Sequence, residues 1–312
     1  MTAESIVQFP VSLYRASGVF SWKAVVTVLG VSVLAGTLIG FAVGLAGTLF
    51  YLVLLFPLLV GIATGKLAAA AVRAARLRNP IVAGLCALCG AALAMPIVHG
   101  YGYVEFQRAR AQLDPDALAT AMGMSPDALP ADAKASGITP EAIRAARVTT
   151  LPRYLDLQAQ QGVRIGRSGW LDIQLGHAGS YVYWALEVLL AAAVAFVLAY
   201  RAAEVPFCER CGRWMAQRRL GGVRTPADQA VEALRAGKLG RLHPSPAPTA
   251  GREIRLTMAS CPQCGTTSPV TLRLDRVRVG RDGKETASAR LLAHATYPGE
   301  ALPVVEDLFA GR

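Results

Sequence analysis

The chain has 312 residues, of which 53% are hydrophobic and 17% charged, against roughly a quarter charged in an ordinary soluble domain. Its mean hydropathy is +0.38 and its formal charge +11. These values argue against a single soluble domain, and the basic balance admits anionic lipid or nucleic acid as a partner.

Residues 24–65 carry no charged side chain. A soluble core would interrupt such a run with polar positions at helical period. A membrane-spanning helix needs about 20 apolar residues, so AVVTVLGVSVLAGTLIGFAVGLAGTLFYLVLLFPLLVGIATG supplies two, over 24–44 and 49–70, with the reversal near Gly44–Gly47. Pro57 kinks the second helix or marks its outer end, and Lys66 snorkels to the headgroups. A third span covers 80–100 and opens at Pro80; Tyr101 and Tyr103 follow at interfacial depth. The fourth covers 180–200, with Tyr181, Tyr183 and Trp184 at one end and Tyr200 at the other, an aromatic belt at both interfaces.

Orientation follows from the short connections. Lys66, Arg73, Arg76 and Arg78 flank the second and third spans with no acid among them, so this loop is expected on the cytoplasmic side. Both termini then lie in the cytoplasm of a plasma (inner) membrane protein, and 105–179 lies outside. One re-entrant segment among the first two spans would flip the N-terminus. No cleavable leader is expected. The apolar stripe Ile6, Val7, Phe9, Leu13 and Tyr14 is read as lying along the inner membrane surface.

Gly36, Gly40 and Gly44 repeat at intervals of four, as do Gly61 and Gly65. Such stripes let helices approach closely. They serve packing of the first two helices on each other, or homo-oligomerisation through Gly36, Gly40 and Gly44. Glu187 is the one acid inside a span, and His99 lies near the outer end of another; intramembrane ionisable groups are candidates for transport or catalysis. Cys86 and Cys89 share a helix face, as a redox or metal pair or as small packing residues.

The outer segment shows helix starts at Asp114-Pro115-Asp116, Ser125-Pro126-Asp127 and Thr139-Pro140-Glu141, each with a cap, a first-turn proline and an acid. The later GVRIGRSGWLDIQLG reads as a short strand or an interfacial segment carrying Trp170. No nucleophilic triad, HExxH, phosphate loop or GxGxxG is present.

The remaining cysteines are Cys208-x2-Cys211 and Cys261-x2-Cys264, each pair followed by glycine, as CERCGRW and CPQCGTT. Glycine lets the chain turn while backbone amides face the sulfurs, and four thiolates complete a tetrahedral shell, so the expected cofactor is one structural Zn2+. A reducing compartment disfavours the alternative of disulfides. With all four ligands protein-derived, the zinc keeps no open position and is not catalytic. His243 and His294 are expected at the surface rather than as ligands.

Forty-nine residues separate the knuckles, against about 15–20 in common ribbons. A helix over 226–240, a connector at 243–251 and a strand at 252–259 fill the gap. Strands at 269–279 and 285–292 follow, joined by the turn Gly280-Arg281-Asp282-Gly283. With few apolar residues left for a core, zinc is expected to be a major source of this domain's stability.

The run from the fourth span into PFCERCGRW (Pro206–Trp214), with Arg78–Pro80 after a basic loop, resembles uncharacterised bacterial multi-span membrane proteins with a cytoplasmic zinc-ribbon tail; it implies no activity. The expected fold is therefore a membrane all-α four-helix transmembrane bundle plus a small C-terminal antiparallel β zinc-ribbon domain. Its segments are 1–23 (cytoplasmic or interfacial), 24–104 (spans one to three), 105–179 (extracytoplasmic), 180–200 (span four) and 201–312 (ribbon, with a helical insert at 212–260). The expected partners are the lipid bilayer and a cytoplasmic protein bound through the ribbon. Nucleic acid is a weaker candidate, resting on Arg213, Trp214, Arg218 and Arg219.

Overall fold

The computed structural model of the chain describes residues 8–47, 55–112, 123, 140–165, 173–245, 251–279 and 285–310. It forms two compact units, Val19–Ala203 and a second assembled from Met1–Gly18 with Glu204–Arg312.

The first unit contains α1 (Trp22–Gly47), α2 (Leu55–Ala75), α3 (Pro80–Ala111), the short α4 (Pro140–Ala146) and α5 (Leu151–Gln161), and α6 (His177–Ala203). The four long helices are long and apolar enough to cross a membrane. Their packing is the reverse of a soluble bundle. The buried positions are small: Gly36 and Gly40 on α1, Gly61 and Ala68 on α2, Ala87 and Ala91 on α3, Ala191 and Ala195 on α6. The large apolar side chains point outward, among them Leu34, Leu38 and Phe41, Leu59 and Leu67, Ile81 and Leu85, and Val182 and Leu189. Water would penalise such a surface, whereas lipid tails are as apolar as leucine and leave close backbone packing to hold the helices.

The glycine stripes are filled inside the chain. A Cβ on Gly36 would stand 1.9 Å from the Gly90 carbonyl oxygen, and one on Gly40 2.5 Å from that of Ala94. The partner of α1 is therefore α3, not the neighbouring α2 that the sequence points to. Gly61 and Gly65 seat instead on α6, where a Cβ would meet the Ala191 carbonyl at 2.6 Å and the Ala195 Cα at 2.8 Å. Gly44 belongs to the same stripe, a Cβ there lying 3.0 Å from the Tyr101 side chain. It is a packing glycine inside α1, so the reversal expected near Gly44–Gly47 is not at Gly44; residues 48–54 lie outside the described residues. Pro57 is helical and buried within α2.

One end of this unit is tightly tied. Asn79 Oδ1 caps α3 by accepting from the Val82 amide at 3.1 Å, ahead of Pro80, and the Leu77 amide donates to the Val72 carbonyl at 3.0 Å. Leu77, fully buried, packs with Ala24, Val28, Ala71, Val72, Ala83, Ala202 and Ala203. The start of α1, the end of α2, the start of α3 and the end of α6 thus meet at one end of the bundle. Lys23, Arg73, Arg76, Arg78 and Arg201 are the charges carried there.

At the other end α3, with 32 residues, is about 48 Å long, so it outlasts the expected 80–100 span. α5 leans on its extension, with the Tyr154 ring 5.3 Å from Phe106 and 5.7 Å from Tyr103. α4 is described from Pro140; Thr139, the starts expected at 114–116 and 125–127, and Trp170 lie outside the described residues. Residues 164–165 and 173–174 form a short antiparallel ladder.

The second unit is built on a sheet of β1 (Ser12–Leu13), β2 (Ala216–Val223), β3 (Gly251–Ser260), β4 (Val270–Val279) and β5 (Glu285–Tyr297). The order is β1-β5-β4-β3-β2, every pair antiparallel. Alternation puts Leu256 and Met258, Leu272 and Leu274, and Ala293 and Ala295 on one buried face. They pack there with Leu234 of α7 (Ala227–Arg235) and Val305 and Phe309 of α8 (Ala301–Ala310).

Three expectations are corrected here. The helical insert expected over 212–260 also contributes a strand, β2, beside the expected β3; among its described residues helix covers α7 and a single turn at Leu239–Arg241. The unit has an apolar core of its own, where few apolar residues were expected to be left for one. The N-terminal stripe also belongs to it. Phe9 is in that core, its amide donating to the Gly237 carbonyl at 3.2 Å, and Ser12 and Leu13 pair with Thr296 and Ala295. The Tyr14 ring lies tilted against His294 with centroids 4.1 Å apart, and its hydroxyl donates to the Glu204 carbonyl at 3.0 Å. Ile6 and Val7 lie outside the described residues, as does the turn at 280–283.

Candidate metal centre

Each knuckle is shaped by its glycine. Gly212 and Gly265 sit at φ 61° and 51°, a left-handed conformation that side chains disfavour. Around the first, Phe207 pairs with Trp214 and Cys208 with Arg213, and the Met215 amide donates to the Pro206 carbonyl at 2.9 Å. Around the second, the Gly265 amide donates to the Cys261 carbonyl at 3.1 Å. The 49-residue separation is closed by the sheet. Ala216 pairs with Ser260 at the ends of β2 and β3, so one knuckle ends where the other begins.

The four sulfurs of Cys208, Cys211, Cys261 and Cys264 lie within 4.8 Å of one another and can hold a metal ion. Cys208 and Cys264 are 3.8 Å apart, the separation that about 2.3 Å metal–sulfur bonds give in a tetrahedron. Cys211 and Cys264 are closer, at 3.0 Å. Cys208 and Cys261 are buried with Met215 and Ala259, while Cys211 and Cys264 are partly exposed.

Burial pushes the Cys208 thiol up, but the Ser268 hydroxyl 3.5 Å away and the neighbouring thiols outweigh it and bring its pKa down to about 6. Cys264 is pushed up to about 12, first by its hydrogen bond with Cys211 and then by burial. Four thiolates cannot coexist so close together without a positive charge among them. Ser268, 4% exposed, is the residue sequence reasoning missed; its only signal was its place four residues after Cys264.

The other candidates do not join this centre. His243 is exposed at the far end of the 224–244 loop, and His294 is not a surface residue but half-buried against Tyr14. Cys86 is buried and Cys89 exposed on the same helix. Glu187 is 1% exposed and accepts a hydrogen bond from Tyr183 one turn earlier, the way a buried acid is satisfied within a packed bundle. His99 packs edge-on against Trp184 at 5.0 Å. Trp214 meets Phe207 edge-on at 5.1 Å, and exposed Arg218 lies 3.4 Å from Glu306.

No protein-family model, curated protein or solved structure matches this chain.

Proposed function

We propose that this chain is a multi-pass protein of the plasma (inner) membrane whose sheet unit faces the cytoplasm, carries one structural zinc, and serves as a docking platform for a cytoplasmic protein. The observation that carries the reading is the closed set of four cysteine sulfurs on a well-packed sheet. A metal with four protein thiolates has no position for water or substrate, so its effect is to stiffen the knuckles and not to do chemistry. Zinc is the ion proposed because four thiolates form its usual closed structural shell and the Cys208–Cys264 separation of 3.8 Å suits one; iron is the other ion this ligand set admits. The cytoplasmic side is favoured by the basic residues gathered at the end of the bundle where the chain enters α1 and leaves α6, and by the reducing conditions that free thiols require.

Cross-linking the full chain in intact cells, then purifying in detergent, tests the platform. The reading expects a defined cross-linked protein with the wild type, lost in Cys208→Ser/Cys261→Ser while the bundle remains inserted. The same cross-links from both proteins, or none from either, would remove its basis.

A further inference from the structure

The stretch between the knuckles builds more than strands. From β2 it runs through α7 and a single tight turn (Leu239–Arg241) and returns to the sheet where Val223 bridges Pro244. It borders a half-open cleft of about 820 Å3, within the size range for small organic ligands. Arg224, Lys238, Arg241 and His243 line it, with Gln229 and Glu232 on the α7 side. Among the described residues no ion pair engages Arg224, Lys238 or Arg241.

The rim is fixed from within. Thr225, 8% exposed, donates its hydroxyl to the Arg241 carbonyl at 2.9 Å and accepts the His243 amide at 3.1 Å. The Arg224 amide donates to the His243 carbonyl at 2.8 Å. The backbones bearing three of the four basic side chains are therefore held together before any ligand arrives. Like charges gathered around one concavity repel each other and focus a positive potential into it. Two guanidinium forks and an ammonium match phosphate oxygens. Glu232 disfavours a polyanion that fills the whole space and offers an acceptor to hydroxyl groups.

We infer that this cleft binds an organic phosphate, the phosphate on Arg224, Lys238 and Arg241 and the hydroxyl-bearing part toward Gln229 and Glu232. A free nucleotide and a phospholipid headgroup share that chemistry. The site is separate from the cysteines and stands whichever metal they hold.

The test uses the full chain in nanodiscs. In one arm, phosphatidylcholine discs are titrated with AMP in a calorimeter; in the other, the unfolding midpoint is compared between phosphatidylcholine and phosphatidylglycerol discs without AMP. Saturable AMP binding identifies a soluble ligand, and a higher midpoint in phosphatidylglycerol identifies a headgroup. Either effect should weaken at least about tenfold, or vanish, in Lys238→Gln/Arg241→Gln, with metal content unchanged. Glu232→Gln removes the opposing charge while its amide oxygen keeps an acceptor for the hydroxyl groups, and should tighten AMP binding several-fold in the first case and raise the phosphatidylglycerol midpoint in the second. No binding in either arm, or binding indifferent to these variants, overturns the inference.

Discussion

At the scale of single residues, two kinds of side chain make measurable commitments. His294 is held neutral: burial, then the nearby Arg273 charge, push its pKa down to about 4, with Asp275 opposing. Unfolded, it returns to about 6.5. Between those values the unfolded chain binds the extra proton, so the sheet unit is fully stabilised above about pH 6.5, weakens as pH falls toward 4, and loses no more from this group below that. Chemical denaturation across that window should show the slope, and His294→Asn should flatten it; an identical slope in the variant contradicts the assignment. Phe9 is the second case. It is 9% exposed in the sheet core, so Phe9→Ala should cost about 3 kcal/mol of that unit's stability, read from its denaturation midpoint. A residue lying on the membrane surface would cost far less.

Elements differ in how legible they were. The four long helices announce themselves because lipid demands uninterrupted apolar runs, and the knuckles because a turn between two ligands needs glycine at a fixed offset. Their partners were hidden. Nothing in the spacing of Gly36 and Gly40 says that α3 fills the stripe, since helix neighbours in space are set by the whole bundle. β2 escaped because AQRRLGGV has no clean alternation: four exposed positions precede two buried ones, and the strand exists because β3 pairs with it. β1 is two residues long and depends on a partner nearly the whole chain away. The Gly36 contact gives a controlled test. Gly36→Val drives a side chain into the Gly90 backbone and should destabilise the bundle by about 1–3 kcal/mol, whereas Gly30 has nothing within 4 Å of an added Cβ and Gly30→Val should be near neutral. Unfolding in a mild detergent separates them, and equal effects would mean that α1 does not seat on α3.

For the molecule as a whole, the sheet unit joins distant parts of the chain: β1 precedes the first long helix and β5 follows the last, yet they share one sheet. The core of Leu256, Leu272, Leu274 and their neighbours also separates folding from metal. Stripping the metal should loosen the knuckles around Met215 and Ala259 while leaving amide exchange protection in β3 and β4 largely intact; collapse of that protection would mean the metal carries the core after all. Metal affinity should fall as the medium is acidified, because thiols such as Cys264 must lose their protons to bind. The central claim rests on what the four cysteines hold. Elemental analysis of the full chain purified without added metal should find about one zinc per chain, lost in Cys208→Ser/Cys261→Ser. Recovery of these cysteines as disulfides, or of a chain without bound metal, would contradict it.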